Sequence, residues 1–404
     1  MKETRLICYN IKIKKERQPR LGKVKMFDCS IVACEGYDEE KTEKALREAT
    51  EAIGGLDFVK PGMKIAIKPN LVSFKKPEEA ATTHPLLLKA LVKMLLDRGA
   101  SVVIGDSPGG PHTTIVLNKV YAATGMNELE KLGAELNRNL EEKTVNLPDG
   151  KVLHRLTYTA YLDEADAIID FCKLKAHGMM GMSAAVKNLY GTIPGLKKPE
   201  MHYQFPNEVD FAEMLIDINE FFKPRLAICD AVIGMEGNGP LNGTPRQVGA
   251  VIAAKNTYDC DLIGAALIGM DINGLPTLKA AYERGLAPKS WKELKIHGNV
   301  EDFIVKDFKA PPVRGLRFMR KGTLMHFISS KALAQKPKLK PSLCVGCGEC
   351  ARMCPAKAIE IKNRKAVIDR EKCIRCFCCQ EFCPKAAMVV HRPFTAKLLN
   401  KLKL

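Results

Sequence analysis

Short apolar runs alternate with helical patterns through the middle of this 404-residue chain. The apolar runs are nearly continuous, which is typical of strands in a parallel sheet that is buried on both faces. The segments between them have the spacing of amphipathic helices, and the one at 39–53 ends at a pair of glycines. The pattern predicts strands at residues 29–34, 63–68, 101–106, 167–174, 225–232 and 248–253, and helices at 39–53, 85–97, 182–189, 207–222 and 258–270.

This alternation predicts an α/β domain over residues 26–310, with a mainly parallel sheet covered by helices on both faces. Ligands of such folds usually bind beyond the carboxyl ends of the strands. Polar and glycine-rich segments follow several of the predicted strands, at 68–70, 105–110, 173–178 and 235–240. Side chains that are distant in sequence should therefore meet at one edge of the sheet.

These segments supply the candidate site residues. The candidates for substrate binding are Lys68, Asn70, Asp106, Ser107, Gly109, Gly110, Lys173, Lys175, Lys187 and Asn188. The candidates for catalysis are His84, Lys175, His177, Asp230 and Glu236. Taken singly, such a lysine is usually a solvated surface residue, and a glycine-rich loop is usually a tight turn. Four or five strand ends of the same character nevertheless indicate a site.

The lysines indicate that the ligand is an anion. Lysine ammonium groups pair with carboxylates or phosphates, and lysines that crowd together lower one another's pKa. Glycines such as Gly109 and Gly110 can also present backbone N–H groups to an anion. The segment GNGPLNG at 237–243 contains G-x-G, but no helix follows at once, so it lacks the dinucleotide fingerprint and gives no indication of NAD. The residues assign neither a flavin nor a further metal.

Cysteines near the C-terminus repeat one spacing twice. Residues 344–355 and 373–384 both read C-x₂-C-x₂-C-x₃-C-P. This is the spacing of bacterial ferredoxins, in which the fourth cysteine of each run ligates the other cluster. It predicts two [4Fe–4S] clusters, one on Cys344, Cys347, Cys350 and Cys383, and the other on Cys373, Cys376, Cys379 and Cys354.

Zinc and disulfides are the alternatives for these cysteines. Structural zinc sites favour pairs of CxxC, often with histidine, and neither run contains a histidine. Disulfides would need an exported protein, but no signal peptide is visible, so the cysteines indicate the reducing cytoplasm. The spacing selects Cys379 as a ligand rather than the adjacent Cys378. The scattered cysteines elsewhere are typical of buried small apolar residues.

The net charge of +17 belongs to the two ends of the chain. Residues 1–25 hold nine Lys and Arg against two acidic residues, and residues 311–404 hold 21 against five. We therefore divide the chain into a basic extension (1–25), the α/β domain (26–310), a basic linker (311–340), a small α+β ferredoxin-like domain (341–390) and a basic tail (391–404). The basic linker predicts docking of an acidic electron carrier, a ferredoxin or flavodoxin, or contact with anionic lipid. Nucleic acid ranks last because no nucleic-acid-binding signature accompanies the charge.

At these segments the chain resembles the domain-of-unknown-function family three-six-two. The matching pieces are KPNLV (68–72), THP (83–85), GDSPGG (105–110), KLKAHGMMGMSAAVKNLYGTIPG (173–195), MEGNGP (235–240) and CIRCFCCQEFCP (373–384). The resemblance covers most of residues 26–384, and it implies an α/β fold fused to a two-cluster ferredoxin. It implies no particular reaction.

Three functions fit these observations. The first is an iron–sulfur oxidoreductase that passes electrons through two clusters to an anionic small molecule in the α/β domain. The second is an electron-transfer or redox-assembly protein whose large domain binds a partner and catalyses nothing. The third is a non-redox enzyme whose clusters sense or stabilise. We prefer the first, because lysine-lined strand ends are typical of a small-molecule site.

Overall fold

The computed structural model describes residues 27–310 and 335–391. The predicted extension at 1–25, most of the predicted linker at 311–340 and most of the predicted tail at 391–404 lie outside the described residues.

The elements are numbered along the chain. The strands are β1 (Cys29–Ala33), β2 (Lys64–Pro69), β3 (Ser101–Ile104), β4 (Glu135–Leu136), β5 (Glu142–Asn146), β6 (Arg155–Thr159), β7 (Ala167–His177), β8 (Gly181–Ser183), β9 (Leu226–Glu236), β10 (Thr244–Ala254), β11 (Ile296–His297), β12 (Lys336–Leu339), β13 (Ile359–Lys362), β14 (Lys365–Ile368) and β15 (Met388–His391). The helices are α1 (Glu39–Glu51), α2 (Pro85–Leu96), α3 (Thr114–Thr124), α4 (Asn127–Glu130), α5 (Ala185–Asn188), α6 (Lys197–Gln204), α7 (Glu208–Phe222), α8 (Thr257–Leu267), α9 (Pro276–Glu283), α10 (Glu349–Arg352) and α11 (Cys378–Glu381). None of the helices in the described ranges is long and apolar enough to cross a membrane.

One large sheet organises the α/β domain. Its strands lie in the order β11-β1-β10-β9-β7-β2-β3-β4, and β8 pairs with the end of β7. The run from β9 to β4 is parallel throughout, whereas β10 is antiparallel to both of its neighbours. The prediction of a mainly parallel α/β sheet is therefore confirmed.

Helices cover both faces of this sheet because successive strand residues point to opposite sides. On β7, Ile169 and Phe171 pack into one core together with α1, α2 and α3. Cys172 and Leu174 point the other way, into a second core with α7, α8 and α9. Each large apolar side chain buried in these cores stabilises the fold by about 1.5–3 kcal/mol relative to exposure.

Three predicted elements differ from the structure at the place where the site forms. Strands β7 and β9 run on to His177 and Glu236, beyond the predicted ends at residues 174 and 232. The predicted helix at 182–189 is wrong in its first half, where β8 turns back and pairs with β7. Only the single turn of α5 is helical, and Asp261 caps it by accepting hydrogen bonds from the first backbone N–H groups of the turn. Pairing with β7 overrides the helical pattern here.

The C-terminal module is a small α+β unit, as predicted. Strand β12 pairs with β15 and β13 pairs with β14, and the short helices α10 and α11 each contain the third cysteine of a run. Because β12 spans Lys336–Leu339, ordered structure begins within the segment predicted as a linker.

The residue before α10 is Gly348 (φ 82°), whereas its counterpart before α11 is Phe377 (φ 63°). A bulky residue in this left-handed region is strained. The Phe377 ring is buried in the core of the α/β domain, which holds it in place.

Candidate functional site

The cysteine side chains of the C-terminal module form two groups of potential cluster ligands. Cys344, Cys347, Cys350 and Cys383 line one cavity, so the fourth cysteine of the second run joins the first three of the first run. Burial raises the pKa of the Cys373 thiol, and the nearby Cys376 and Cys354 sulfurs raise it further. The donors therefore fit two [4Fe–4S] clusters with crossed fourth ligands.

Backbone N–H groups support the fourth cysteine of each run. The amide of Ala358 donates to the Cys354 sulfur at 3.3 Å, and the amide of Ala387 donates to the Cys383 sulfur at 3.2 Å. Hydrogen bonds of this kind tune the potential of an iron–sulfur cluster. Their equivalence between the two runs indicates that the two sites have the same construction.

A second cavity lies between the α/β domain and the module. About 70 Å³ of it is open to the centres of water molecules, which is space for roughly five waters. The α/β domain and the second cysteine run both line it. The residues that line it include Asn70, Val72, Asp106, Ser107, Gly109, Lys175, Lys187, Asn188, Tyr190, Lys198, Pro240, Leu241, Cys378, Glu381 and Phe382.

Three lysines of this cavity have no carboxylate partner within the described ranges. The Lys175 amine donates to Asn70 Oδ1 at 2.9 Å and to the Ala81 carbonyl at 2.7 Å. Lys198 Nζ donates to the carbonyls of Ser107 and Ile193 at 2.7 and 2.6 Å. Burial lowers the pKa of Lys175 and of Lys198 to about 7.

Lys187 is the third lysine, and it is half-buried. Among the described residues its amine has no hydrogen-bond or ion-pair partner, and it lies 5.4 Å from the centre of the Tyr190 ring. Burial lowers the pKa of Lys187. An ammonium in a partly enclosed cavity without a counter-ion is costly, so the cavity favours an anionic ligand.

A buried polar network supports the floor of the cavity. Lys68 Nζ lies 2.9 Å from Asp106 Oδ1, and Asp106 Oδ2 accepts from the Leu71 backbone at 2.6 Å. Asn188 accepts from the Asn70 amide at 2.9 Å and donates to Asp170 at 2.6 Å. These bonds fix the side chains of Asn70 and Asn188, which line the cavity. Burial also raises the pKa of Asp170 to about 8.

The glycine-rich loop has a different role from the predicted one. The backbone N–H groups of Ser107 and Gly109 already donate to the carbonyls of Gly191 and Val72, both at 3.0 Å. They are therefore not free to hold an anion, and Gly110 is not among the residues that line the cavity. Gly109 instead makes room for the module, because a Cβ at this position would lie 2.6 Å from Phe382 Cε1.

His177 fastens the module to the α/β domain. Its Nδ1 accepts from the backbone N–H groups of Met179 and Met180 at 3.2 and 3.1 Å, which leaves the ring proton on Nε2. Nε2 lies 3.0 Å from Glu381 Oε1. Burial lowers the pKa of His177 to about 4, so the ring is neutral where it meets the carboxylate. It does not line the cavity, and its contact with Glu381 lies between the α/β domain and the module.

Gln380 makes the other polar contacts of this docking interface. Its buried side-chain amide donates to the carbonyls of Asn238 and Gly239 at 2.9 and 3.1 Å. In return, Asn242 donates to the backbone carbonyls of Gln380 and Cys383 at 3.3 and 3.4 Å. The second cysteine run is therefore a fixed wall of the cavity.

Lys173 belongs to a separate cluster. Its amine lies 2.8 Å from Asp230 Oδ2 and 2.6 Å from the Tyr37 hydroxyl, and Tyr37 donates to Asp230 Oδ1 at 2.7 Å. The His84 ring stacks on Tyr37 with 3.6 Å between ring centres, and burial lowers the pKa of His84 to about 4. Lys173, His84 and Asp230 are thus bound to one another and do not line the cavity.

Glu236, the remaining candidate, also lies elsewhere. It accepts from the Lys309 backbone at 3.0 Å, and its other oxygen lies 3.6 Å from Lys309 Nζ. The sequence reasoning missed Lys198, Tyr190, Glu381 and Phe382. One available signal was that Glu381 is the only acid between the first and last cysteines of its run.

Three further cysteines come together inside the α/β domain. The sulfurs of Cys172, Cys229 and Cys260 lie within 4.8 Å of one another, and all three residues are fully buried. Cys172 and Cys229 are direct neighbours on parallel strands, so their approach follows from the sheet register. Buried thiols in an apolar core are the common state of free cysteine.

Comparison with known proteins agrees with this architecture. Residues 65–266 match the domain of unknown function DUF362, and residues 336–384 match a 4Fe-4S dicluster domain. A thylakoid-associated protein of Synechocystis sp. is 28% identical over 306 residues, which are 74% of this chain and 94% of that protein. Over 45 residues, 11% of this chain and 17% of the other, the module is 44% identical to one subunit of an ion-translocating oxidoreductase complex of Methanosarcina acetivorans.

Among solved structures, the lactate racemase apoprotein of Thermoanaerobacterium thermosaccharolyticum aligns with a TM-score of 0.38 at 15% identity. The alignment covers 60% of this chain and 58% of the racemase chain, so it spans little more than half of the length of the racemase. The DUF362 match spans half of the present chain and includes every strand of the parallel run from β2 to β9. The chain therefore belongs to the domain-of-unknown-function family DUF362, and it carries a 4Fe-4S dicluster domain at its C-terminal side.

Proposed function

We propose that this protein is an iron–sulfur oxidoreductase that passes electrons through two [4Fe–4S] clusters to a small anionic molecule in the cavity between its domains. The observation that carries the proposal is the composition of the cavity wall. Lys175 and Lys187 come from the α/β domain, whereas Cys378, Glu381 and Phe382 come from the second cysteine run. A ligand held there would touch the segment that supplies the cluster ligands Cys379 and Cys383.

The two cysteine runs differ in exposure, and the difference suggests the direction of electron flow. Cys347 in the first run is exposed, and Val345 beside it is 48% exposed. Cys376 and Cys379 in the second run are buried. We infer that a [4Fe–4S] cluster on the first run receives single electrons from an external carrier and that the second run faces the substrate.

The electron donor in this proposal is an acidic ferredoxin or flavodoxin. The described part of the module, residues 335–391, holds twelve Lys and Arg against five acidic residues. Opposite charges on two partners speed their encounter and make it sensitive to salt. A reducing compartment, the cytoplasm, suits both the thiolates and such a donor.

The side chains of the cavity also supply what a reduction needs besides electrons. Docking of Phe382 and Glu381 against the α/β domain closes one side of the cavity to water. Lys175 and Lys198, whose pKa is about 7, can each hold or release a proton at neutral pH. This pairing of an electron path with proton donors favours an enzyme over a carrier that catalyses nothing.

Anaerobic purification tests the proposal. The protein should contain about eight irons and show the EPR signal of reduced [4Fe–4S] clusters after dithionite treatment. Mass spectrometry of the small molecules that co-purify should identify an acid, and adding that acid to the reduced protein should reoxidise the clusters. A Cys379→Ser variant, which lacks a ligand on the cavity side, is the matched control and should not be reoxidised. Stoichiometric zinc without acid-labile sulfide would rule the proposal out.

A further inference from the structure

The charges around the cavity do not balance. Of the two acids in its wall, Asp106 is paired with Lys68, whereas Glu381 lies against the neutral His177 ring and keeps its negative charge. The amines of Lys175 and Lys198 donate only to neutral acceptors, and the Lys187 amine has no hydrogen-bond or ion-pair partner within the described part of the chain. The three lysines therefore outnumber the one remaining carboxylate, and the Lys187 amine is left to bind a ligand by charge.

The same wall lacks two features that many phosphate sites have. Such sites combine several backbone N–H groups at a glycine-rich loop, or use the fork of an arginine, besides the point charge of a lysine. The N–H groups of Ser107 and Gly109 are already bonded to carbonyls, and no arginine is among the described residues that line the cavity. A carboxylate needs fewer donors, and a single lysine with a neighbouring amide can bind it.

The composition of the wall narrows the class of ligand further. The apolar residues Val72, Leu241 and Phe382 form part of the cavity wall. Such a wall favours a compact apolar body over a second charged group, because a charge placed there would lose its hydration without a partner.

We propose that this cavity binds small monocarboxylates with an apolar body, and that Lys187 is the residue that binds their carboxylate. The proposal rests on the proposed function, because it names the class of molecule that the site would reduce. It assigns Lys187 a role in specificity. Lys175 and Lys198 differ from it, because their amines are already bonded to protein carbonyls and, for Lys175, to Asn70.

Isothermal titration of the oxidised, anaerobically purified full-length protein tests this assignment. The probes are benzoate, its neutral analogue benzamide, crotonate and inorganic phosphate. Benzoate should bind at least about tenfold more tightly than benzamide, since a charge-assisted hydrogen bond contributes about 1.5–3 kcal/mol. Lys187→Met should remove this preference, and Lys187→Arg should keep most of it. Thermal unfolding of each variant shows whether it is folded.

Lys197 provides the matched control for these variants. It lies ten residues away on α6, outside the cavity, and its amine is 3.3 Å from Glu142. Lys197→Met should bind benzoate as the unchanged protein does.

Three results would overturn the proposal: equal affinity for benzoate and benzamide, tighter binding of phosphate than of benzoate, or no binding of benzoate or crotonate. None of these involves electron flow, because the protein stays oxidised. Failure of the carboxylate proposal is therefore distinguishable from failure of the redox proposal, which would appear as clusters that no bound ligand reoxidises.

Discussion

The contact between Gly109 and Phe382 is the sharpest test of how the module closes the cavity. An alanine Cβ at position 109 would lie 2.6 Å from Phe382 Cε1 and 3.2 Å from its Cζ. Ordinary carbon contacts are about 3.5–4.0 Å, so the ring must retreat by about 1 Å. The backbone of Gly109 is held by its bond to the Val72 carbonyl and cannot easily move instead. Overpacking of this kind costs about 1–3 kcal/mol.

We therefore expect Gly109→Ala to loosen the second cysteine run from the α/β domain. Hydrogen exchange followed by mass spectrometry measures this directly on peptides that cover residues 376–384. A loss of about 1–3 kcal/mol in local stability corresponds to exchange that is about fivefold to more than a hundredfold faster. Peptides from β11 and β1, at the opposite edge of the sheet from β3 and β4, should be unchanged.

Two further variants separate steric crowding from other effects. Gly36→Ala is the matched control, because no atom lies within 4 Å of a Cβ at that position. It should exchange as the unchanged protein does. Replacing Phe382 by leucine in the Gly109→Ala background should restore slow exchange by removing the colliding ring atoms. Unchanged exchange in Gly109→Ala, or no recovery in the double variant, would refute the interface described here.

Three other outcomes are expected. Cys378→Ser should keep about eight irons and Cys379→Ser should lose about half of them, as measured by iron and sulfide analysis; the reverse pattern would shift the ligand by one residue. Benzoate affinity should fall as pH rises from about 6 to 9, because the depressed pKa of Lys175 and Lys198, about 7, means that both amines lose their charge above that pH. Calorimetry near pH 8 should accordingly show proton uptake on binding, and an affinity that does not change with pH would contradict a contribution of Lys175 and Lys198 to the charge of the cavity. His177→Leu should destabilise docking of the module by about 1–3 kcal/mol in denaturant unfolding, because it places an apolar side chain where the polar His177 Nε2 now lies 3.0 Å from the Glu381 carboxylate; an unchanged midpoint would exclude the docking role.

The sequence by itself was sufficient for features that depend on local spacing. The two cysteine runs define their ligands because an iron–sulfur cube needs sulfurs at short, fixed intervals along one loop. The α/β fold follows from near-continuous apolar strands separated by helices, since only a sheet buried on both faces accommodates them. Lysine at successive strand ends predicts an anion site in the α/β domain, and this stays a prediction.

Tertiary structure decided which of those lysines face the ligand. Lys173 and Lys175 are two residues apart on β7, but the register with β9 shifts between them. Lys173 therefore lies opposite Asp230 and is bound there, whereas Lys175 reaches the cavity. A register shift depends on how two distant strands pair, and no local pattern around residue 173 encodes it.

The residues that the module contributes to the cavity wall could not be predicted from local sequence patterns either. Phe382, Glu381 and Cys378 become cavity residues only because α11 docks on the α/β domain more than 140 residues away in sequence. The docking depends on shape: a glycine at 109 admits the Phe382 ring, and the buried Phe377 ring stabilises its own strained backbone. Sequence periodicity reports which face of an element is apolar, but the partner of that face is set by packing between domains.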